Sequence, residues 1–229
     1  MRCIFVLDIL NGAVVHAVRG ERSSYAPITG FSQIVSTSEP LGIVQEIRPR
    51  EVYVADLNLL TGRGDNLDVI KEISTCTRTM ADTGIKKAGD LDRLPESVSL
   101  VLGTETASLP LIKEAARARN IAVSIDMMKR KVLARDPDLA GHTPLQLLHR
   151  LSGLKLHSVI LLELDRVGTS AGLDKPFLEE AAATTKHPLI LGGGVKGEED
   201  LRALEELGFS GALLATALHN GRIPVARVQ

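Results

Sequence analysis

The chain has 229 residues, a formal net charge of −1, 44% hydrophobic and only 3% aromatic residues, and two cysteines. The near-zero charge gives no electrostatic case for nucleic acid or an acidic membrane as partner. Cys3 and Cys76 make neither a disulfide framework nor a zinc site, and no apolar run approaches the ~18–20 residues of a membrane span.

Strands are expected over 2–8, 51–56, 77–82, 98–103, 120–126, 157–163, 187–191 and 211–215. Helical periodicity falls between them, over about 39–49, 65–74, 88–94, 108–119, 143–152, 173–185 and 197–207. A second short strand-like run, Ala13–Val18, precedes a Ser-, Gly- and Pro-rich stretch, Gly20–Pro40, that reads as a long loop over one end of the fold. After the eighth strand only Ala217–Gln229 remains, with Gly221 and Pro224, so a short helix or a subunit contact is expected in place of a full eighth helix. The core composition of Val, Ile, Leu and Ala suits a parallel sheet buried on both faces. Eight alternating β and α units close into a single (βα)8 barrel of the TIM type, an α/β fold. An open doubly wound sheet would need a glycine fingerprint after the first strand, and Asp8-Ile9-Leu10-Asn11-Gly12 lacks one. With no basic and apolar leader at the N-terminus, a soluble cytoplasmic protein is expected.

The two halves, about 1–119 and 120–229, can be superposed as sequences. Val52-Tyr53-Val54-Ala55-Asp56-Leu57 resembles Val159-Ile160-Leu161-Leu162-Glu163-Leu164, and Thr79–Lys86 resembles Leu189–Lys196. Leu102-Gly103-Thr104 resembles Leu214-Ala215-Thr216 at a nearly constant offset, so a twofold repeat of four βα units is expected.

Asp8 and Asp126 each end an apolar run, about half the chain apart. A carboxylate at the C-terminal end of a buried barrel strand is poorly placed for stability and well placed for chemistry. On strands 1 and 5 the two would face each other and divide acid and base roles between them. Gly192-Gly193-Gly194 after strand 7, with Ala215 and Thr216 after strand 8, matches the usual phosphate position of such barrels. In the first half the equivalent is Asp82-Thr83-Gly84 with Gly103 and Thr104. Asp82 would repel a phosphate there, and a hydroxyl or cationic group is its alternative ligand. Asp56 and Asn58 with Gly62-Arg63-Gly64, and Glu163 and Asp165 with Arg166, are expected to line the mouth as hydrogen-bonding walls. His16 and Arg19 follow the first strand. His16 reads as a metal ligand or, with no second His or Cys near it in sequence, as a core-edge histidine.

Taken together, Asp8-Ile9-Leu10-Asn11-Gly12-Ala13-Val14-Val15, Asp56-Leu57-Asn58, Gly62-Arg63-Gly64, Asp126, Gly168-Thr169 and the glycine triplet resemble the duplicated barrels of histidine biosynthesis. These are the phosphoribosylformimino-aminoimidazole-carboxamide ribotide isomerase and its sister cyclase, and the resemblance covers nearly the whole chain. It implies Asp8 as proton acceptor and Asp126 as proton donor in an Amadori-type aldose-to-ketose isomerisation of a small phosphorylated substrate, without cofactor or metal. Arg19–Ile28, Ser38-Glu39-Pro40-Leu41 and Glu51–Leu57 look like an isomerase-related branch of methanogens and methylotrophs associated with one-carbon metabolism on a pterin carrier. Three positions depart from the isomerase pattern: Asp82-Thr83-Gly84 stands for a glycine triplet, Leu162 for a threonine, and Ala215-Thr216 for a glycine with a basic or small neighbour. The expected function is therefore Asp/Asp acid–base isomerisation of a phosphorylated sugar conjugate. A one-carbon-carrier enzyme of the same family and a non-catalytic binding barrel are the alternatives.

Overall fold

The computed structural model describes residues 1–229. Eight parallel strands form a closed barrel: β1 (Arg2–Leu10), β2 (Glu51–Asp56), β3 (Arg78–Asp82), β4 (Ser99–Gly103), β5 (Ile121–Met128), β6 (Ser158–Glu163), β7 (Leu189–Gly192) and β8 (Gly211–Leu214). They pair in sequence order, and β8 returns to β1 with Arg2 opposite Gly211 and Phe5 opposite Leu214. The helices outside are α1 (Pro40–Ile47), α2 (Leu57–Thr61), α3 (Leu67–Cys76), α4 (Leu109–Ala118), α5 (Pro144–Leu151), α6 (Lys175–Thr184), α7 (Glu198–Glu206) and α8 (Thr216–His219). None is long and apolar enough to cross a membrane.

Strand alternation divides the core in two. Phe5, Leu7, Val52, Val54, Ala81, Leu100, Val123, Leu161, Leu191 and Leu214 point outward and join a cluster of 50 buried residues between sheet and helices. Ile4, Tyr53, Ala55, Met80, Val101, Ala122, Ile160, Ile190 and Leu213 belong to a separate cluster of 11 that fills the barrel. Every inner position therefore has a parity, and two residues beyond Met80, Val101 and Ile190 lie Asp82, Gly103 and Gly192 at the rim.

The helix starts are encoded locally. Proline stands in the first turn of α1, α4, α5 and α6, and Glu39, Ser108, Thr143 and Asp174 cap those helices with their side chains. Two helix readings change. The stretch 88–94 contains only a 3-10 turn, Ala88–Asp90, because the Asp90 carboxylate takes the Lys86 and Lys87 N–H groups and closes a turn before a helix can propagate. Conversely α2 forms where a loop was expected, capped by Asp56 and stopped by Gly62 at φ 71°.

Strands β1 and β5, opposite each other, both run past the rim into hairpins. The first turns at Asn11-Gly12 into Ala13–His16, the second at Lys129-Arg130 into Lys131–Val132, all four turn residues having positive φ. The Gly20–Pro40 stretch lies over the barrel mouth. It contains 3-10 turns at Arg22–Ser24 and Ile28–Gly30, and Ala26–Pro27 pairs with Val15–His16. At the other end of the chain, α8 is a single turn. The tail beyond it buries Ile223 and Val228, and Arg50 N–H donates to Val228 O. The short helix expected after β8 is therefore present, and no large apolar side chain of the chain is exposed.

Candidate active site

Inner parity puts the side chains of Asp8 (after Ile4 and Val6), Asp82 (after Met80) and Asp126 (after Ala122 and Ser124) at the C-terminal mouth of the barrel. All three line one pocket whose empty volume, counted to its opening, is about 1020 Å³. Gly103, Leu162, Gly192, Gly193, Gly194, Ala215 and Thr216 line the same pocket.

Asp8 has no hydrogen-bonding partner in the protein for its carboxyl oxygens and keeps one face toward the pocket lumen. Burial raises its pKa to about 7, and the Arg22 guanidinium holds the rise in check. Asp126 is anchored: Ser124 Oγ donates to Oδ1 at 2.6 Å and the Glu105 N–H to Oδ2 at 3.0 Å. Its own N–H donates to Thr104 Oγ1 at 3.0 Å. Burial, then the neighbouring Asp82 charge, raises Asp126 to about 7 against those hydrogen bonds. Asp82 is 5% exposed and accepts from Gly84 N–H at 3.0 Å, with Tyr53 OH a distant 3.4 Å away. Burial, with some help from Glu105, lifts it to about 6.

The glycines after β7 are demanded by space. A Cβ on Gly193 would lie 2.6 Å from Glu163 O, with φ at 92°, and one on Gly192 would lie 2.7 Å from Leu162 Cδ1. Gly193→Ala is expected to destabilise the fold by about 1–3 kcal/mol through backbone strain and this collision, read as a lowered urea midpoint. Beside this turn Ser170, at φ 50°, lines the pocket with a buried Oγ that has no hydrogen-bonding partner. Thr216 Oγ1 lies 3.4 Å from His16 Nε2, and His16 stacks on Phe31 at 3.8 Å between ring centroids. His16 thus supports the rim through Thr216.

Seven sequence candidates lie outside the pocket. Asp56 has the outward parity of Val52 and Val54. Its carboxyl is fully buried and accepts from the Asn58, Leu59 and Asn66 N–H groups and from Asn66 Nδ2. Asn58 joins it, with Nδ2 donating to Asn11 Oδ1 and Arg63 O. This is a network that ties β2 to the Asn11-Gly12 turn, not a wall of the mouth. Thr83 and Thr104 follow inner residues and so turn away from the lumen; Thr104 serves Asp126 from behind. Gly84 packs against Leu60, where a Cβ would meet Leu60 Cδ2 at 3.1 Å. Arg19, at φ 52°, gives its N–H to Val167 O and does not line the pocket. Glu163, also of outward parity, is paired with Arg130 and Arg166 beside the mouth.

Sequence reasoning missed Arg22, Tyr25, Glu105 and Ser170 as lining residues. Arg22 reaches down from the Gly20–Pro40 stretch to make two hydrogen bonds with Glu105, at 3.1 and 2.9 Å. Their positions in irregular segments carry no periodicity.

The family model described as histidine biosynthesis protein matches residues 2–224. An uncharacterized protein of Methanocaldococcus jannaschii is 30% identical over 241 residues, covering 100% of this chain and 97% of that protein. The protein named 1-(5-phosphoribosyl)-5-((5-phosphoribosylamino)methylideneamino)imidazole-4-carboxamide isomerase is 29% identical in Myxococcus xanthus, over 100% of this chain and 98% of that one. Its namesake in Thermus thermophilus is 27% identical, over 97% and 96%. With the barrel, the paired strand-end aspartates and a match over almost its whole length, the chain belongs to the histidine biosynthesis protein family.

Proposed function

We propose that this barrel is a ribotide-isomerase-type enzyme that performs an Amadori-type aldose-to-ketose isomerisation with Asp8 and Asp126 as base and acid. The reading rests on one observation above all. Two carboxyls from opposite strands, β1 and β5, share a pocket and are both held near pKa 7, so each can take up and release a proton at neutral pH. Their neighbours separate the roles. Arg22 favours the ionised form of Asp8, and the charges of Asp82 and Glu105 favour the protonated form of Asp126.

On an aminoaldose, Asp126 gives its proton to the ring oxygen as the C1–O bond breaks, leaving a C1 iminium. Asp8 takes the C2 proton, and the electron pair moves into the C1–C2 bond, giving an enolamine. Return of a proton to C1 and loss of the C2 hydroxyl proton leave the aminoketose. The reaction is an internal redox exchange between C1 and C2 and consumes no outside oxidant. The phosphate of the substrate rests against the Gly192–Gly194 turn and Thr216, where no carboxylate lines the pocket.

The test is turnover of the relatives' aminoaldose ribotide by the purified protein, with Asp8→Asn as control. Turnover that disappears in the variant supports the reading; none above the variant excludes that substrate. A second reading, an enzyme of one-carbon-carrier metabolism on the same fold, rests on the resemblance of Arg19–Ile28, Ser38–Leu41 and Glu51–Leu57 to the isomerase-related branch of methanogens and methylotrophs. In that case a thermal-shift screen finds pterin-linked or smaller phosphorylated ligands that protect the protein while the ribotide does not.

A further inference from the structure

The pocket has two chemically different ends. Strands β3 and β7 stand four places apart in an eight-stranded closed barrel and are therefore opposite each other. At the β7 end the lining is Gly192–Gly194, Ala215 and Thr216, without a carboxylate. At the β3–β4 end it is Asp82, Glu105 and Asp126, with Gly103 between them. A Cβ on Gly103 would lie 2.7 Å from Asp126 Oδ2 and 3.4 Å from Asp82 Oδ2, so two carboxyl oxygens converge over that glycine.

This end is poorly equipped to receive an anion. The only cationic side chain lining the pocket is Arg22, and Glu105 takes two of its N–H groups and offsets its charge. The Gly84 N–H is taken by Asp82 and the Glu105 N–H by Asp126. After β3 no α-helix follows whose N-terminus could face a phosphate. The first N–H of α4, from Leu109, is taken by the Asp136 carboxylate at 2.6 Å. Two phosphoribosyl groups are named in the substrate of the isomerase relatives, and a second phosphate here would meet the unpaired Asp82 carboxylate at short range.

What this end does offer is acceptors. Asp82 is 95% buried by its 5% exposure, yet Oδ2 has only the 3.4 Å contact from Tyr53 OH, leaving lone pairs on the pocket side.

We infer that the substrate carries a single phosphate, held at the β7 end, and at its far end a protonated amine that Asp82 binds. This rests on the proposed function, since it assumes a phosphorylated substrate in the barrel mouth. Asp82 is then the residue that separates this barrel's specificity from that of its two-phosphate relatives.

The experiment is calorimetric binding of four probes at about pH 7, where Asp82, at about 6, is ionised and a sugar amine keeps its proton: glucosamine 6-phosphate, glucose 6-phosphate, fructose 1,6-bisphosphate and inorganic phosphate. The expected result is that glucosamine 6-phosphate binds about tenfold or more tightly than either other sugar, and that Asp82→Asn brings the two monophosphates to equal affinity. The comparison on the unaltered protein does not depend on the variant folding. Fructose 1,6-bisphosphate binding as tightly as the amine overturns the inference while leaving the proposed function standing. An amine preference that survives Asp82→Asn overturns the assignment of Asp82. No binding of any probe, inorganic phosphate included, removes the phosphorylated-substrate reading and this inference with it.

Discussion

Replacing Asp8 with asparagine is expected to lower kcat by about 100- to 10,000-fold, the usual worth of a positioned general base, and at the same time to make the protein more stable above pH 7. Both effects come from one cause. The carboxyl of Asp8 faces the pocket without a hydrogen-bonding partner in the protein, and burial raises its pKa from an ordinary 3.8 to about 7 in the folded state. The native state thus holds this proton more tightly than the unfolded chain does. As pH rises from about 4 to about 7, the unfolded chain ionises first, and the native state loses stability across that window. Asparagine fills the same space and never ionises. Its gain in melting temperature should be several degrees at pH 8, shrink progressively from pH 7 downward, and vanish below about pH 4. Scanning calorimetry of both proteins across this range checks the sign. A gain that stays constant with pH, or that grows toward acid, would show that Asp8 is not the strained carboxyl described here. Unaltered turnover in the variant would remove it from the mechanism.

The largest loss of stability is expected from Asp56→Ala, at about 3–5 kcal/mol in urea unfolding. Its carboxyl oxygens accept four hydrogen bonds, two from the first turn of α2 and two from Asn66, at 2.7–3.1 Å. Removing the acceptor leaves buried donors without partners, which costs more than the hydrogen bonds themselves contribute. The damage spreads because Asn66 and Asn58 also hold the Asn11-Gly12 turn: the Gly12 N–H donates to Asn66 Oδ1 and the Asn11 N–H to Asn58 Oδ1. Loosening this network frees the end of β1 two residues beyond Asp8. Asp56→Asn keeps one acceptor oxygen and should fall between the wild type and the alanine variant. A cost below about 1 kcal/mol for Asp56→Ala would mean that water replaces the carboxylate, and that α2 is held by packing alone.

Asp8 and Asp56 differ in sequence by very little. Each ends an apolar strand, each is followed by an asparagine within three residues, and both were reasonable candidates for the mouth. Parity separates them, and parity is what a strand buried on both faces conceals. Val52-Tyr53-Val54-Ala55 is apolar at every position, so no alternation marks which residues look into the barrel. Only the closed sheet places Tyr53 and Ala55 inside and Val52, Val54 and Asp56 outside. The same rule moves Thr83, Thr104 and Glu163 away from the lumen while keeping Asp82, Gly103, Leu162 and Gly192 on it.

The sequence by itself determined the things that depend on local pattern and short-range chemistry. Alternating β and α runs required a parallel barrel, proline and capping side chains set the starts of α1, α4, α5 and α6, and strand-end aspartates at half-chain spacing marked Asp8 and Asp126. The glycine triplet announced a turn with no room for side chains. Tertiary structure decided what depends on distant neighbours. It brought Arg22 and Tyr25 over the mouth from a loop without periodicity, and paired Arg22 with Glu105 across 83 residues of chain. It also turned Asp56 from a candidate ligand into a cap. Finally, it set the protonation of the three inner aspartates. A carboxyl's pKa follows from how much water it retains and which charges lie near it, and neither quantity exists until the barrel has closed.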